Sequence, residues 1–257
     1  MYPIIDFGTL HIPTFFVVIS LSLTGLLVAL SSRVDLFLKD RKTAYDIAII
    51  IMLSGFLGGR IMHIAFEEWE YYAMQPSRMF EFWNGGFVYF GGLITSFVSC
   101  LAYCKFKKIN FLDWADFFTP LLSLSHAFGR IGCLLAGCCF GVACDLPWAL
   151  DDRHPTVLYL FFGELAILFV LLGYEQAKHK MASGHLFAKW ILLHSVLRLN
   201  VEYFRNDYRG DFYNVPPFGQ ISISQIISLV FIVLSTVFFI SESRKRSKHL
   251  VPPPPPV

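Results

Sequence analysis

Three arginines stand inside otherwise apolar stretches of this chain. Arg60 closes the run GFLGGRIMH, Arg130 sits in HAFGRIGC and Arg198 sits in HSVLRLNVEYFR. At a bilayer centre a guanidinium costs about 2.5–3.5 kcal/mol on insertion scales, so it persists where it faces a polar cavity and has a task there. His126 precedes Arg130 by four residues, and His194, Arg198 and Glu202 also recur at intervals of four. That spacing stacks side chains along one helical face. An Arg198–Glu202 pair taken alone could simply tie helices together. Three guanidiniums on separate segments exceed what one acid neutralises, which points to an anionic ligand. Arginine's planar fork matches a pair of phosphate oxygens, and a phospholipid headgroup is the anion available at that depth. Glycines accompany these residues: Gly85–Gly86 and Gly91–Gly92 in NGGFVYFGGLI, and Gly129 beside Arg130. Small residues let helices or a ligand approach the backbone closely; taken singly, such pairs read equally well as packing notches.

The segment Gly129–Gly141, GRIGCLLAGCCFG, also carries thiols. Cys133, Cys138, Cys139 and Cys144 follow at steps of five, one and five positions. Structural zinc sites favour ligand pairs with about two to four residues between them, and neighbouring residues on a helix point in different directions. Neither a metal nor another cofactor is therefore expected. A redox pair on an oxidising side of the membrane and a covalent relay at Cys138 are alternative readings. The spacing favours small, polarizable groups that pack.

These side chains need elements to carry them. Hydrophobic residues make up 55% of the 257, Phe occurs 27 times, and charged residues are 16%, against about 25% in soluble domains. This is the composition of a polytopic, all-α membrane protein. A net charge of +2 gives no ground for a nucleic-acid partner. Seven stretches near 12–31, 44–66, 86–104, 115–137, 156–174, 185–204 and 219–241 are predicted to be transmembrane helices. The fourth and sixth carry charges and are weak by hydropathy alone. The first lacks a basic leading segment and a small-residue cleavage site, so it reads as a permanent span. Arg33, Lys39, Arg41 and Lys42, Lys105, Lys107 and Lys108, Lys178 and Lys180, and Arg244, Lys245, Arg246 and Lys248 all fall on one side, against Arg78, Arg153, Arg205 and Arg209 on the other. Basic loops stay cytoplasmic, which sets the N-terminus out and the C-terminus in. Glu67–Tyr72 (EEWEYY) and Asp211–Gly219 (DFYNVPPFG) read as interfacial belts. Residues 1–243 are expected to form a single transmembrane domain, and 244–257, ending in Pro252–Pro256, a basic, proline-rich cytoplasmic tail.

Six blocks in order carry a resemblance: Phe56–Ile61 (FLGGRI), Phe82–Ile94 (FWNGGFVYFGGLI), Gly129–Gly141, Arg153–Tyr159 (RHPTVLY), Arg198–Arg205 (RLNVEYFR) and Phe218–Gln225 (FGQISISQ). Together they resemble the bacterial prolipoprotein diacylglyceryl transferases over nearly the whole chain. The resemblance implies a multi-pass enzyme of the bacterial cytoplasmic (inner) membrane. Such an enzyme moves the diacylglyceryl group of phosphatidylglycerol onto the lipobox cysteine thiol of a prolipoprotein signal peptide, and glycerol-1-phosphate leaves. It implies that Arg130 holds the lipid phosphate, that Arg198 and Glu202 are catalytic or order the site, and that Arg60 and the Gly85–Gly86 and Gly91–Gly92 pairs line the cavity. His126, His194 and Gly129 join the expected substrate-binding set.

Several positions depart from the family pattern. Phe90 stands where a histidine usually precedes GGLI, and Cys133, Ala136 and Cys138 replace asparagines and an acid. The Pro13 region replaces an expected tyrosine, and the arm between Gly141 and Arg153 is short. A thiol with a reference pKa of about 8.5 needs activation. His154, in the RHPT segment, is the expected catalytic histidine, with His126 and His194 as other candidates; RHPT also reads as a plain helix start. Two rival functions stand beside transfer to prolipoprotein: the same chemistry on another acceptor, such as a small thiol or alcohol, and lipid binding without catalysis.

Overall fold

The computed structural model describes residues 4–8, 10–82, 85–177, 182–206, 212–215 and 219–250. Lys178, Lys180, Arg209, most of the Asp211–Gly219 belt's turn and the Pro252–Pro256 run lie outside the described residues. A short hairpin of β1 (Ile4–Phe7) and β2 (Leu10–Pro13) leads into α1 (Thr14–Leu36). Then come α2 (Arg41–Met62), a π-helical turn at His63–Glu67, α3 (Trp69–Met74), a 3-10 turn at Pro76–Phe80 and α4 (Tyr89–Lys107). The chain continues with α5 (Phe111–Ala136), α6 (Thr156–Ala177) and α7 (His185–Glu202), a second hairpin of β3 (Phe212–Val215) and β4 (Gly219–Ser222), and α8 (Ile223–Leu250).

Each of the seven predicted spans coincides with one long helix. Five of them are long and apolar enough to cross a membrane: α1, α2 with its π turn, α4, α6 and α8. The remaining two, α5 and α7, are the helices that carry Arg130 and Arg198, and their charges lower their hydropathy. Leu21, Val28, Leu53, Phe162, Phe169 and Val233 are more than half exposed, as side chains facing lipid are. The two hairpins are an addition to the all-α expectation. The acidic and aromatic Asp211–Gly219 belt is in part a β-hairpin rather than a plain loop.

The chain divides into two compact units, Leu30–Trp114 and Met1–Ala29 with Ala115–Val257. In the first, α2 and α4 pack through glycine. A Cβ on Gly91 would come within 2.5 Å of the Gly58 carbonyl oxygen, and one on Gly92 within 2.7 Å of that of Gly55. Thr95 Oγ1 crosses the same seam to the Ser54 carbonyl at 2.8 Å. In the second, Asp116 of α5 accepts the amides of Gly184 and Phe187, both at 2.8 Å. This satisfies donors at the start of α7 and places a carboxylate where the helix dipole favours it. The start of α8 is a capping box: Gln225 N donates to Ser222 Oγ at 3.3 Å, and Gln225 Oε1 accepts the Ser222 amide at 2.9 Å.

Candidate active site

Three elements of the second unit bring charge together. Arg198 Nη2 of α7 pairs with Glu202 Oε2 at 2.7 Å and donates to Ser224 Oγ at 3.2 Å. Glu202 Oε1 accepts from Ser222 Oγ at 2.9 Å, and Arg205 Nε lies 3.9 Å from Glu202 Oε2. The α8 capping box is therefore part of the site: it holds Ser222 and Ser224 against the α7 ion pair.

One turn deeper lies a second carboxylate. Glu164 of α6 is fully buried. It accepts from Ser123 Oγ of α5 at 2.9 Å and from Trp190 Nε1 at 3.4 Å, and it hydrogen-bonds His194 Nδ1. His126 Nδ1 is 3.9 Å from Glu164 Oε1, and the His126 and His194 rings meet edge to face at 4.6 Å. Arg130 lies one turn after His126 on α5 and Arg198 one turn after His194 on α7, so the contact between the two rings joins the helix faces that carry the arginines. Arg130 Nε is buried with no hydrogen-bond partner among the described residues, and the space beside Gly129 is open.

Arg60 belongs to the other unit and is committed locally. It is 3% exposed. It donates to the carbonyls of Met79 (3.2 Å), Gly85 (2.5 Å), Gly86 (3.3 Å), Arg78 (2.9 Å) and Glu81 (3.3 Å), and Tyr72 lies beneath it at 5.2 Å. Five carbonyls and an aromatic face satisfy it without a ligand, so it clamps the 78–86 segment. Arg60 is therefore separate from the charged set of the second unit, which Arg205 and Glu164 join instead. Gly85 and Gly86 turn this segment at positive φ, whereas Gly91 and Gly92 form the α2–α4 seam.

His154 sits where the chain between α5 and α6 is pinned. Gly141 N donates to the His154 carbonyl at 2.8 Å, and His154 N to that of Val142 at 3.0 Å. Its ring contacts Phe204 at 4.9 Å, and its Nδ1 lies 3.2 Å from Tyr159 Oη. RHPT does open α6, as its helix-start reading has it.

The cysteines differ most from expectation. α5 ends at Ala136 in a Schellman cap: Cys138 N donates to the Cys133 carbonyl at 3.1 Å, Gly137 N to that of Leu134 at 3.2 Å, and Gly137 has φ 72°. This cap folds the second residue beyond the helix back over the last turn. Cys133, Cys138 and Cys139 consequently bring their sulfurs within 4.8 Å of one another, although their spacing argued against it. Hydrogen bonding with the Cys133 and Cys139 thiols, followed by burial, pushes the Cys138 thiol far above the usual range, which disfavours an uncomplexed Cys138 thiolate as a covalent relay. None of the six cysteines is in a disulfide.

Residues 3–241 match the family described as prolipoprotein diacylglyceryl transferase. Among similar proteins, the phosphatidylglycerol–prolipoprotein diacylglyceryl transferase of Mannheimia succiniciproducens is 36% identical over 75% of this chain and 73% of its own length. That of Clostridium tetani is 31% identical over 86% of this chain and 94% of its own, and that of Clostridioides difficile 31% over 88% of each. The chain belongs to the prolipoprotein diacylglyceryl transferase family, and it is a multi-pass membrane protein and a transferase.

Proposed function

We propose that this family member moves the diacylglyceryl group of phosphatidylglycerol to the lipobox cysteine thiol of prolipoproteins, in lipoprotein maturation at the bacterial cytoplasmic (inner) membrane. Seven helices, α1, α2 and α4 to α8, span the bilayer with the N-terminus out and the C-terminus in. Residues 1–243 form the transmembrane enzyme and 244–257 a cytoplasmic tail.

The observation that carries this reading is Arg130. Its Nε is buried without an acceptor among the described residues, it lies one turn after His126 on α5, and the His126 ring meets that of His194, one turn before Arg198 on α7, at 4.6 Å. Arg130 and Arg198 hold the phosphate, and they stabilise the charge that gathers on it as glycerol-1-phosphate departs. Glu202, gripped by Ser222, orients Arg198. His126 and His194 line the headgroup space, with Glu164 fixing His194. His154 stands at the mouth between α5 and α6 as a proton acceptor. Phosphatidylglycerol, the prolipoprotein signal peptide and surrounding lipid are the partners.

Purified, reconstituted protein is incubated with labelled phosphatidylglycerol and a lipobox peptide. Lipidated peptide with equimolar glycerol-phosphate supports the proposal, with both lost in Arg130→Ala and Arg198→Ala. Glycerol-phosphate release without peptide modification would instead indicate another acceptor, and lipid binding without release a non-catalytic protein.

A further inference from the structure

The proposed transfer alkylates a thiol, and an uncomplexed thiol is mostly protonated at neutral pH. The Cys133–Cys138–Cys139 cluster offers another way to make a thiolate. Tetrahedral zinc with Zn–S bonds of about 2.3 Å sets its sulfurs about 3.8 Å apart. Cys138 and Cys139 Sγ lie 3.5 Å apart, and all three sulfurs fall within 4.8 Å of one another. A shift of a few tenths of an ångström to an ångström would gather them on one ion.

The backbone shapes the cluster. The Schellman cap sets Cys138 over Cys133, and Cys139 turns back at φ 68°. The Cys139 carbonyl is held by Thr156 Oγ1 at 2.6 Å, which anchors the turn to the start of α6. Arg130 lies one turn before Cys133 on α5. Cys138 is exposed, so an ion has a path in. The His126–Glu164–His194 group is a poorer cation site because the Glu164 carboxylate is already committed to Ser123, Trp190 and His194.

We propose that Cys133, Cys138 and Cys139 bind one zinc ion as a three-thiolate site whose fourth position takes the acceptor thiol. This rests on the transfer reading above. Three protein ligands with one open position are the arrangement of a catalytic rather than a structural zinc site, and a thiol that coordinates the ion is deprotonated. On metal binding, the three cysteine protons go to solvent, and the acceptor's proton leaves through His154 when its sulfur coordinates. That sulfur then attacks the diacylglyceryl carbon that bears the phosphate oxygen. A carbon–sulfur bond forms, the carbon–oxygen bond breaks, and its electron pair leaves on glycerol-1-phosphate.

The test uses the full-length protein in detergent, stripped of metal and titrated with cobalt(II) as a spectroscopic substitute for zinc. We expect about one equivalent bound with an intense thiolate-to-cobalt charge-transfer band, as three sulfur ligands require. Zinc should displace it. Cys133→Ser, Cys138→Ser and Cys139→Ser should each weaken or abolish the band, whereas Cys100→Ser and Cys144→Ser should keep it; gel filtration reports on the fold of each. A lipobox peptide should intensify the band as a fourth sulfur joins, and its Cys→Ser version should not. Chelation should remove at least nine-tenths of transfer, and zinc should restore it. Absence of the band in the native chain, or a disulfide among the three cysteines in protein taken directly from membranes, would overturn the site. A band indifferent to the peptide, or transfer that survives complete metal removal, would overturn its role in activation. A peptide-sensitive band in a protein that transfers nothing would uphold the site and sink the transfer reading instead.

Discussion

Glu164 of α6 and His194 of α7 are hydrogen-bonded through Oε1 and Nδ1 where no surface of Glu164 is exposed. An ionised carboxylate at that depth needs donors on both oxygens, and it has them: Ser123 and Trp190 reach Oε2. With the carboxylate ionised and the imidazole neutral, His194 donates from Nδ1 and its Nε2 carries the lone pair. The pair fixes the tautomer of a histidine that lies edge to face with His126.

Removing that carboxylate should cost the fold first. Glu164→Ala strands the donors of Trp190 and His194, each a loss of about 1–3 kcal/mol where the group stays buried, while Ser123 Oγ keeps the Glu164 main-chain carbonyl at 3.0 Å. Thermal unfolding in detergent should show a clear drop, and Glu164→Gln, which keeps one acceptor oxygen, should recover part of it. A Glu164→Ala protein as stable as the native one would show that the network carries no weight.

Arg198 should not tolerate lysine. Its Nη2 serves Glu202 and Ser224 together, and an ammonium has the charge but not the fork. Arg198→Lys is expected to lower turnover of labelled phosphatidylglycerol by roughly 100-fold or more, the scale of losing a preorganised donor to a developing anion, with little change in unfolding temperature. Near-native turnover would mean that charge alone suffices.

The helices of this site were legible because apolar runs of span length and charged loops leave strong marks. The weak hydropathy of α5 and α7 comes in part from Arg130, Arg198 and Glu202, the residues of the candidate site. Glu164 was overlooked, although a lone acid in TVLYLFFGELAILFV is by itself a sign of an internal partner. Ser222 and Ser224 sat in a quoted block whose S-x-x-Q pattern also spells a capping box. Arg60 could not be sorted from Arg130 by sequence, because the carbonyls that satisfy it come from a segment 18 to 26 residues away. The thiol cluster was hidden for a different reason. Helical geometry stops at Ala136, and Gly137 marks that end, so the spacing of the thiols beyond it follows a turn and not a helix.

Glycine substitutions should separate the packing seam from the open site. Gly91→Ala places a methyl group against the Gly58 carbonyl, and overpacking of this kind costs about 1–3 kcal/mol. Gly129 meets nothing within 4 Å, so Gly129→Ala should leave unfolding unchanged or slightly raise its midpoint, since Ala is the better helix former by about 1 kcal/mol. Any loss in Gly129→Ala should appear as weaker lipid binding beside Arg130. Equal destabilisation by the two substitutions would contradict the packing described here.

Asp40 offers a titration outside the spans. It caps α2, accepting the Thr43 amide at 2.9 Å and the Thr43 hydroxyl, and those hydrogen bonds hold its carboxyl below the ordinary range. The folded value lies under the unfolded one of about 3.9. The stabilisation is therefore complete above that unfolded value and is lost as pH falls through the folded value. Asp40→Asn keeps an acceptor oxygen for the cap but does not titrate. The difference in unfolding temperature between native protein and Asp40→Asn should accordingly be flat from pH 8 to about 5. Below that it should shift against the native protein. A difference that stays flat down to pH 3 would show that the cap contributes equally in both protonation states.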